Sequence, residues 1–222
     1  MNKVNFLGTP LPFVVGLLIL LNSLFSFVGF NNEQFFNKFK FDIAYKGRQN
    51  SYRFVSAAFL HVSWAHLFFN MFTLYLFGYA VVHSLGDGRF LTLYFGSLLI
   101  GNFFAAFYHR KASNYAAVGA SGGVAGIVFS TILLYPNLEL YLFFIPIPIP
   151  GYLFAAAYVA YSLYGMKKQQ DNIGHTAHLG GALCGIFLTL IFSPALFIEA
   201  KQTLLYITLT TLGVGFWLFR QR

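Results

Sequence analysis

The sequence predicts an all-α fold: a polytopic membrane helix bundle that takes up the whole chain, 1–222, as a single membrane domain. Two observations carry this. Of the 222 residues 58% are hydrophobic and only 9% charged, whereas soluble globular chains carry roughly 25% charged residues. Apolar runs close to the roughly 20 residues needed to cross a hydrocarbon core also recur along the chain. A mean hydropathy of +0.66 excludes a soluble enzyme of ordinary design, and it excludes disorder, which needs low hydrophobicity and high charge.

The first run, 10–30, reads as a retained helix, because no small-residue exit site of a cleaved leader follows it. The stretch 31–53 is too charged to cross and too aromatic for a plain linker. Phe35, Phe36, Phe39, Phe41, Tyr45 and Tyr52 interleave there with lysine and arginine, as suits a segment lying at the membrane interface. Further runs follow at 57–82, 90–109, 116–135, 150–166 and 176–197. The tail 203–219 is the weakest span because it carries Thr203, Thr208, Thr210 and Thr211. The expected architecture is thus a six-helix core plus a seventh, C-terminal helix. Between the fourth and fifth helices, the alternate prolines of Ile145-Pro146-Ile147-Pro148-Ile149-Pro150-Gly151 forbid helix and favour an extended apolar connection.

The net charge of +8 sits largely between the helices, at Lys38, Lys40, Lys46, Arg110, Lys111, Lys167 and Lys168. Those positions fit lipid head groups, so the bilayer, and not a nucleic acid, is the expected partner. Glu33, Asp42, Asp87, Glu139, Asp171 and Glu199 all lie in or near loops. Proton- and cation-coupled transporters place carboxylates near the midplane, so this pattern counts against transport. The single Cys184 excludes an internal disulfide framework. With a pI of about 9.6, it suits a multi-pass protein of a bacterial inner membrane.

Polar chemistry inside the helices gathers in three places. On the second helix, His66 and Asn70 are four residues apart and share a face, so their N–H donors can converge as a developing oxyanion requires. The plainer alternative is a pair bonding a neighbouring helix. His61, five residues before His66, is expected off that face as an interfacial residue. The fourth helix opens Gly119-Ala120-Ser121-Gly122-Gly123-Val124-Ala125-Gly126. Its glycines form two small-xxx-small pairs, Gly122 with Gly126 and Gly119 with Gly123. Pure helix packing is the competing reading of Ser121. A soluble-hydrolase nucleophile elbow fails, because no strand pattern precedes the serine.

On the sixth helix His178 is followed by the small pair Gly181 and Gly185. If the two glycine faces meet, Ser121 and His178 come to similar depth, and a histidine can take the proton from a serine nucleophile. With no carboxylate near His178 in sequence except Asp171, a dyad is expected over a triad.

The ordered set His66-x-x-x-Asn70, Gly119-Ala120-Ser121-Gly122 and Ala177-His178-x-x-Gly181-x-x-x-Gly185 resembles the rhomboid intramembrane serine proteases over roughly residues 50–195. The resemblance implies Ser121 as nucleophile and His178 as general base. It implies an oxyanion hole of His66, Asn70 and the backbone N–H of Ser121. Other proteins' transmembrane segments would be the substrates, with no metal or cofactor. Tyr52-Arg53 stands where the family often has Trp-Arg in its first loop, and Gly78 and Gly86 match its second-helix pattern. Three departures accompany the match. Val82 stands where a glutamate is common, leaving the anchoring of the first loop unaccounted for. Ala125 stands where an aromatic often packs on the catalytic histidine, a place that another phenylalanine could fill. Eleven of the 14 Lys and Arg residues would lie on the side that the family layout puts outside, against Lys3, Arg89 and Lys201 on the other. The positive-inside rule would reverse that orientation. Alternatives are a catalytically inactive rhomboid-like binding protein, and a bis-His haem or metal protein using His61, His66, His175 and His178. A channel is the third.

Overall fold

The computed structural model describes residues 10–44, 48–112, 115–141, 147–168 and 173–220. Lys3, Tyr45, Lys46, Ile145, Pro146 and Asp171 lie outside them. Helices stand at all seven expected runs: α1 (Phe13–Asn31), α4 (Trp64–Leu85), α5 (Asp87–Tyr108), α6 (Ser121–Leu134), α7 (Gly151–Lys168), α8 (His175–Phe192) and α10 (Lys201–Arg220). Shorter helices are α2 (Glu33–Phe39), α3 (Arg53–Ser56) and α9 (Leu196–Glu199). Two antiparallel pairs complete the described structure, β1 (Phe41–Asp42) with β2 (Ala116–Ala117) and β3 (Glu139–Leu140) with β4 (Ile149–Pro150). The second pair shows the extended form that the alternate prolines impose.

Helices α1, α4, α5 and α8 are long and apolar enough to cross a bilayer. Helix α6 has only 14 residues, about 21 Å at 1.5 Å per residue. It is nonetheless the most enclosed, buried continuously from Gly122 to Leu133. Its length falls short of a hydrocarbon core, which is about 30 Å thick.

Three boundaries differ from the expected runs, each for a local reason. The second run begins as a helix only at Trp64, because Ala57–Phe59 form a 3₁₀ turn and the Ser63 hydroxyl caps α4 by accepting from the His66 N–H at 3.2 Å. The fourth begins at Ser121 instead of 116. Gly119 has φ +125°, a left-handed value that breaks the helix before it starts. The sixth stops at Phe192, ahead of Ser193-Pro194, since proline disfavours helical backbone in the residue before it.

Tight packing centres on α5, α6 and α8. A Cβ on Gly181 would strike the Gly122 carbonyl oxygen and come within 2.7 Å of its carbon; one on Gly185 would strike the Gly126 carbonyl oxygen. The glycine faces of α6 and α8 therefore meet backbone to backbone, as the small-residue spacing predicts. Gly123 faces Tyr94 of α5, and Gly119 lies before the helix, so the expected Gly119–Gly123 face is not one. Gly78 of α4 admits Val15 of α1, whose methyls would lie 2.9 and 3.0 Å from an added Cβ. Helix α10 lies along α7, with Tyr152 and Tyr206 stacked at 5.0 Å. The Lys167 ammonium donates to the Leu218 carbonyl at 2.8 Å, a favourable charge at that helix end.

The first loop has an anchor that does not need a glutamate at position 82. Arg53, only 7% exposed, donates to the carbonyls of Asn37 and Lys40 at 2.9 Å each. Tyr52 donates to Lys38 O and Ser56 to Phe39 O, also at 2.9 Å. Four successive carbonyls at the end of α2 are thus satisfied by one short stretch. Asn102 of α5 donates to Phe54 O at 2.7 Å, and Phe54 stacks on Phe103 at 4.5 Å. Arg53→Ala is expected to cost about 2–3 kcal/mol, because two half-buried carbonyls lose charge-assisted donors. A thermal unfolding midpoint in detergent equal to that of the unsubstituted protein would disprove this role.

Candidate active site

Three helix N-termini assemble at one end of the bundle. Gly122 lies against Gly181 and Gly126 against Gly185, so α6 and α8 run in the same direction. Gly119 lies against His66 while Thr131 donates to Phe77 O at 3.3 Å, so α4 runs with them. His66, Ser121 and His178 consequently occupy the N-terminal turns of three parallel helices. N-terminal turns expose N–H groups without intrahelical partners, and their aligned dipoles favour negative charge. Ser121 is the first residue of α6, and Ala120, as N-cap, offers no side-chain acceptor to the free N–H groups behind it.

Gly119 sets the geometry around Ser121. Its φ of +125° is open to glycine, and a Cβ there would lie 2.8 Å from His66 Cε1 and 2.9 Å from Nε2. The Ser121 hydroxyl oxygen is 3.8 Å from the same point. The missing side chain is thus the space over which the His66 ring and Ser121 Oγ converge. The other ring nitrogen, His66 Nδ1, is buried with no hydrogen-bond partner among the described residues. A lone pair left unmatched costs less than an unmatched N–H. This favours the proton on Nε2, the nitrogen facing Gly119. Asn70 is 7% exposed and donates one amide N–H back to the His66 carbonyl at 3.0 Å, one turn away on the same face.

His178 enters through the α6–α8 contact. The carbonyl of Ala177, its chain neighbour, lies 3.4 Å from the Cβ position of Gly122, the neighbour of Ser121. Ser121 and His178 are both half-buried. With Ala125 at the aromatic position of α6, a ring from α7 packs on His178: Tyr158 stacks on it, centroids 6.3 Å apart and planes at 25°.

His61 departs most from expectation. It lies in the turn before α4, not on the helix, and it is fully buried instead of interfacial. Its Nδ1 is 2.8 Å from Ser26 Oγ, while the Ser26 hydroxyl donates to Phe59 O at 3.0 Å. One hydroxyl has one proton, so Nδ1 must be the donor to Ser26. Nε2 is then free to accept, and it receives the Ala120 N–H at 3.5 Å. The rings of His61 and His66 meet edge to face at 4.8 Å. Burial, with His66 beside it, pushes the His61 pKa down to about 3. With both nitrogens engaged, His61 has no lone pair for a metal. Among the described residues no three His, Cys, Asp or Glu side chains gather as a metal site would need. His175 is instead packed into α7, where its ring fills the space over Gly165 and meets Tyr161 edge to face.

Sequence reasoning missed His61, Ser26 and Tyr158 as parts of this region. One signal was present: Asn22 and Ser26 are polar residues four apart in a largely apolar α1, and both are fully buried. A two-residue strand, β2, does precede Ser121. It pairs with β1 of the first loop and not with the large sheet behind a soluble-hydrolase elbow.

Comparison with known proteins points to one family. The Rhomboid domain family model matches residues 48–195. Rhomboid protein 1, mitochondrial, of Saccharomyces cerevisiae is 31% identical over 64% of this chain and 42% of its own length. RHOMBOID-like protein 12, mitochondrial, of Arabidopsis thaliana is 30% identical over 76% of this chain and 55% of its own. A putative rhomboid protease, YdcA, of Bacillus subtilis is 34% identical over 62% of this chain and 64% of its own. The chain spans about half the length of the first two relatives.

Proposed function

The chain belongs to the rhomboid family, and from that premise we propose that it is an intramembrane serine endopeptidase working by a Ser121–His178 dyad. The observation that carries this reading is the convergence of Ser121 Oγ and the His66 ring over Gly119, at the end of α6 where α8 brings in His178. His178 takes the hydroxyl proton of Ser121 as Oγ attacks a peptide carbonyl. The negative charge that forms on the carbonyl oxygen is met by the Ser121 N–H, by His66 Nε2–H and by the Asn70 amide. The proton passes from His178 to the leaving amine, and an acyl-enzyme remains. Water, deprotonated by His178, attacks the ester and frees the second product. No metal or cofactor takes part.

Substrates are transmembrane segments of other proteins. A regular helix keeps its carbonyls hydrogen-bonded, so a cleavable segment must unwind locally near small or helix-breaking residues. We further propose that α6, α7 and α10 cross the membrane with α1, α4, α5 and α8, giving seven spans. Its basic balance and similarity to the Bacillus subtilis protein favour a bacterial cell membrane.

The test is reconstitution of the purified chain in liposomes with a model single-span substrate. Cleavage insensitive to a chelator and blocked by a serine-reactive phosphonate that labels Ser121 is the expected result. Labelling without cleavage of any substrate tried would favour a different substrate class. Neither labelling nor cleavage would favour the inactive, membrane-protein-binding reading.

A further inference from the structure

We propose that His61 is a positioning residue for Ser121: as its Nδ1–H tautomer it holds the backbone one residue ahead of the nucleophile. This inference rests on the serine-protease reading above and extends it to a residue outside the dyad and the oxyanion hole. The relay begins at Phe59 O, which accepts from Ser26 Oγ; Ser26 Oγ in turn accepts from His61 Nδ1. At its other end, His61 Nε2 accepts the N–H of Ala120. Each member has one role, because reversing the ring tautomer would leave Nδ1 and Nε2 with the wrong partners at both ends.

Three features make this more than core packing. Gly119 N–H donates to Ala57 O at 2.9 Å, so the two residues ahead of Ser121 are both tied to the segment 57–61. Ser121 starts α6, and its own N–H has no partner inside the helix. The direction of that N–H is therefore set by the peptides before it, which His61 and Ala57 hold. The His61 ring also packs edge to face on His66, the ring that converges with Ser121 Oγ over Gly119. One imidazole thus buttresses two of the groups that face the reacting carbonyl. A protonated His61 would present N–H to N–H at Ala120 and lose the contact.

Two substitutions separate the arms. His61→Gln can place a carbonyl oxygen near Nε2 and keep the Ala120 arm; His61→Asn reaches only as far as Nδ1 and keeps the Ser26 arm. For His61→Asn we expect kcat for substrate cleavage and the rate of phosphonate labelling of Ser121 to fall about tenfold or more, since small misplacement of a reacting group is costly. KM should stay within about twofold of the unsubstituted protein, because no substrate contact is removed. His61→Gln should recover most of the lost rate at an unfolding midpoint like that of His61→Asn. Equal rates in all three proteins would overturn the proposal, as would rates that track the unfolding midpoint with no advantage for Gln. A nitrogen-15 spectrum of histidine-labelled protein gives a readout that does not depend on activity. Protonated Nδ1 with unprotonated Nε2 at His61 is expected, and the reverse tautomer would refute the relay. Failure of the protease reading itself looks different: the unsubstituted protein would then take up no phosphonate while the tautomer remained as described.

Discussion

Ser121→Ala is expected to lower cleavage by about ten-thousand-fold or more, His178→Ala by a comparable factor, and the double substitution by no more than either alone. Non-additivity is the signature of two groups acting in one step. Without the hydroxyl there is nothing for His178 to deprotonate. Without the base, Ser121 is a poor nucleophile, because a neutral hydroxyl holds its proton tightly. Substrate capture by Ser121→Ala should survive, since the substitution removes one oxygen from a half-buried position. Quantified cleavage in liposomes by the four proteins decides the matter. Additive losses would mean two independent functions, and full activity of Ser121→Ala would remove the mechanism.

Gly181→Ala should have the largest effect on stability. The added methyl would meet the Gly122 carbonyl group, with its carbon at 2.7 Å and Cα at 2.9 Å. Those atoms are backbone and cannot rotate away, so α6 and α8 must part. We expect a loss of about 3 kcal/mol, at the upper end of overpacking penalties. Activity should fall further than stability alone explains, because the opened seam joins the neighbours of Ser121 and His178. Gly213→Ala is the control. A Cβ at Gly213, within α10, meets nothing within 4 Å, so the same chemical change should stabilise by about 1 kcal/mol through helix propensity. Thermal unfolding in detergent of both variants measures the contrast. Equal midpoints would mean that the α6–α8 seam yields more easily than its backbone contacts require.

Gly181 also shows why part of the site was legible in the sequence. Small residues four apart in apolar helices have few uses besides close approach, so the meeting of Gly122 and Gly126 with Gly181 and Gly185 could be anticipated from spacing alone. Gly119 could not be read in this way. Its spacing to Gly123 is identical, yet its φ of +125° puts it in a turn, where its missing side chain makes room for His66. His61 was misjudged because i, i+5 spacing was read on a helix that begins only at Trp64. Once those residues leave the helix, helical periodicity says nothing about where the ring points.

The sequence by itself determined the order of the seven longer helices, since a bilayer demands long uncharged runs and tolerates few other backbones. It also determined which residue types could carry the chemistry, because a polar side chain among apolar ones is rarely idle. Only the tertiary structure decided what surrounds each histidine. His61, His66, His175 and His178 are alike in sequence, but the relay through Ser26, the gap over Gly119, the ring space over Gly165 and the stack on Tyr158 give them four different surroundings. Those surroundings are built by residues tens of positions away. Local spacing cannot encode them, because they arise only when separate helices pack against one another.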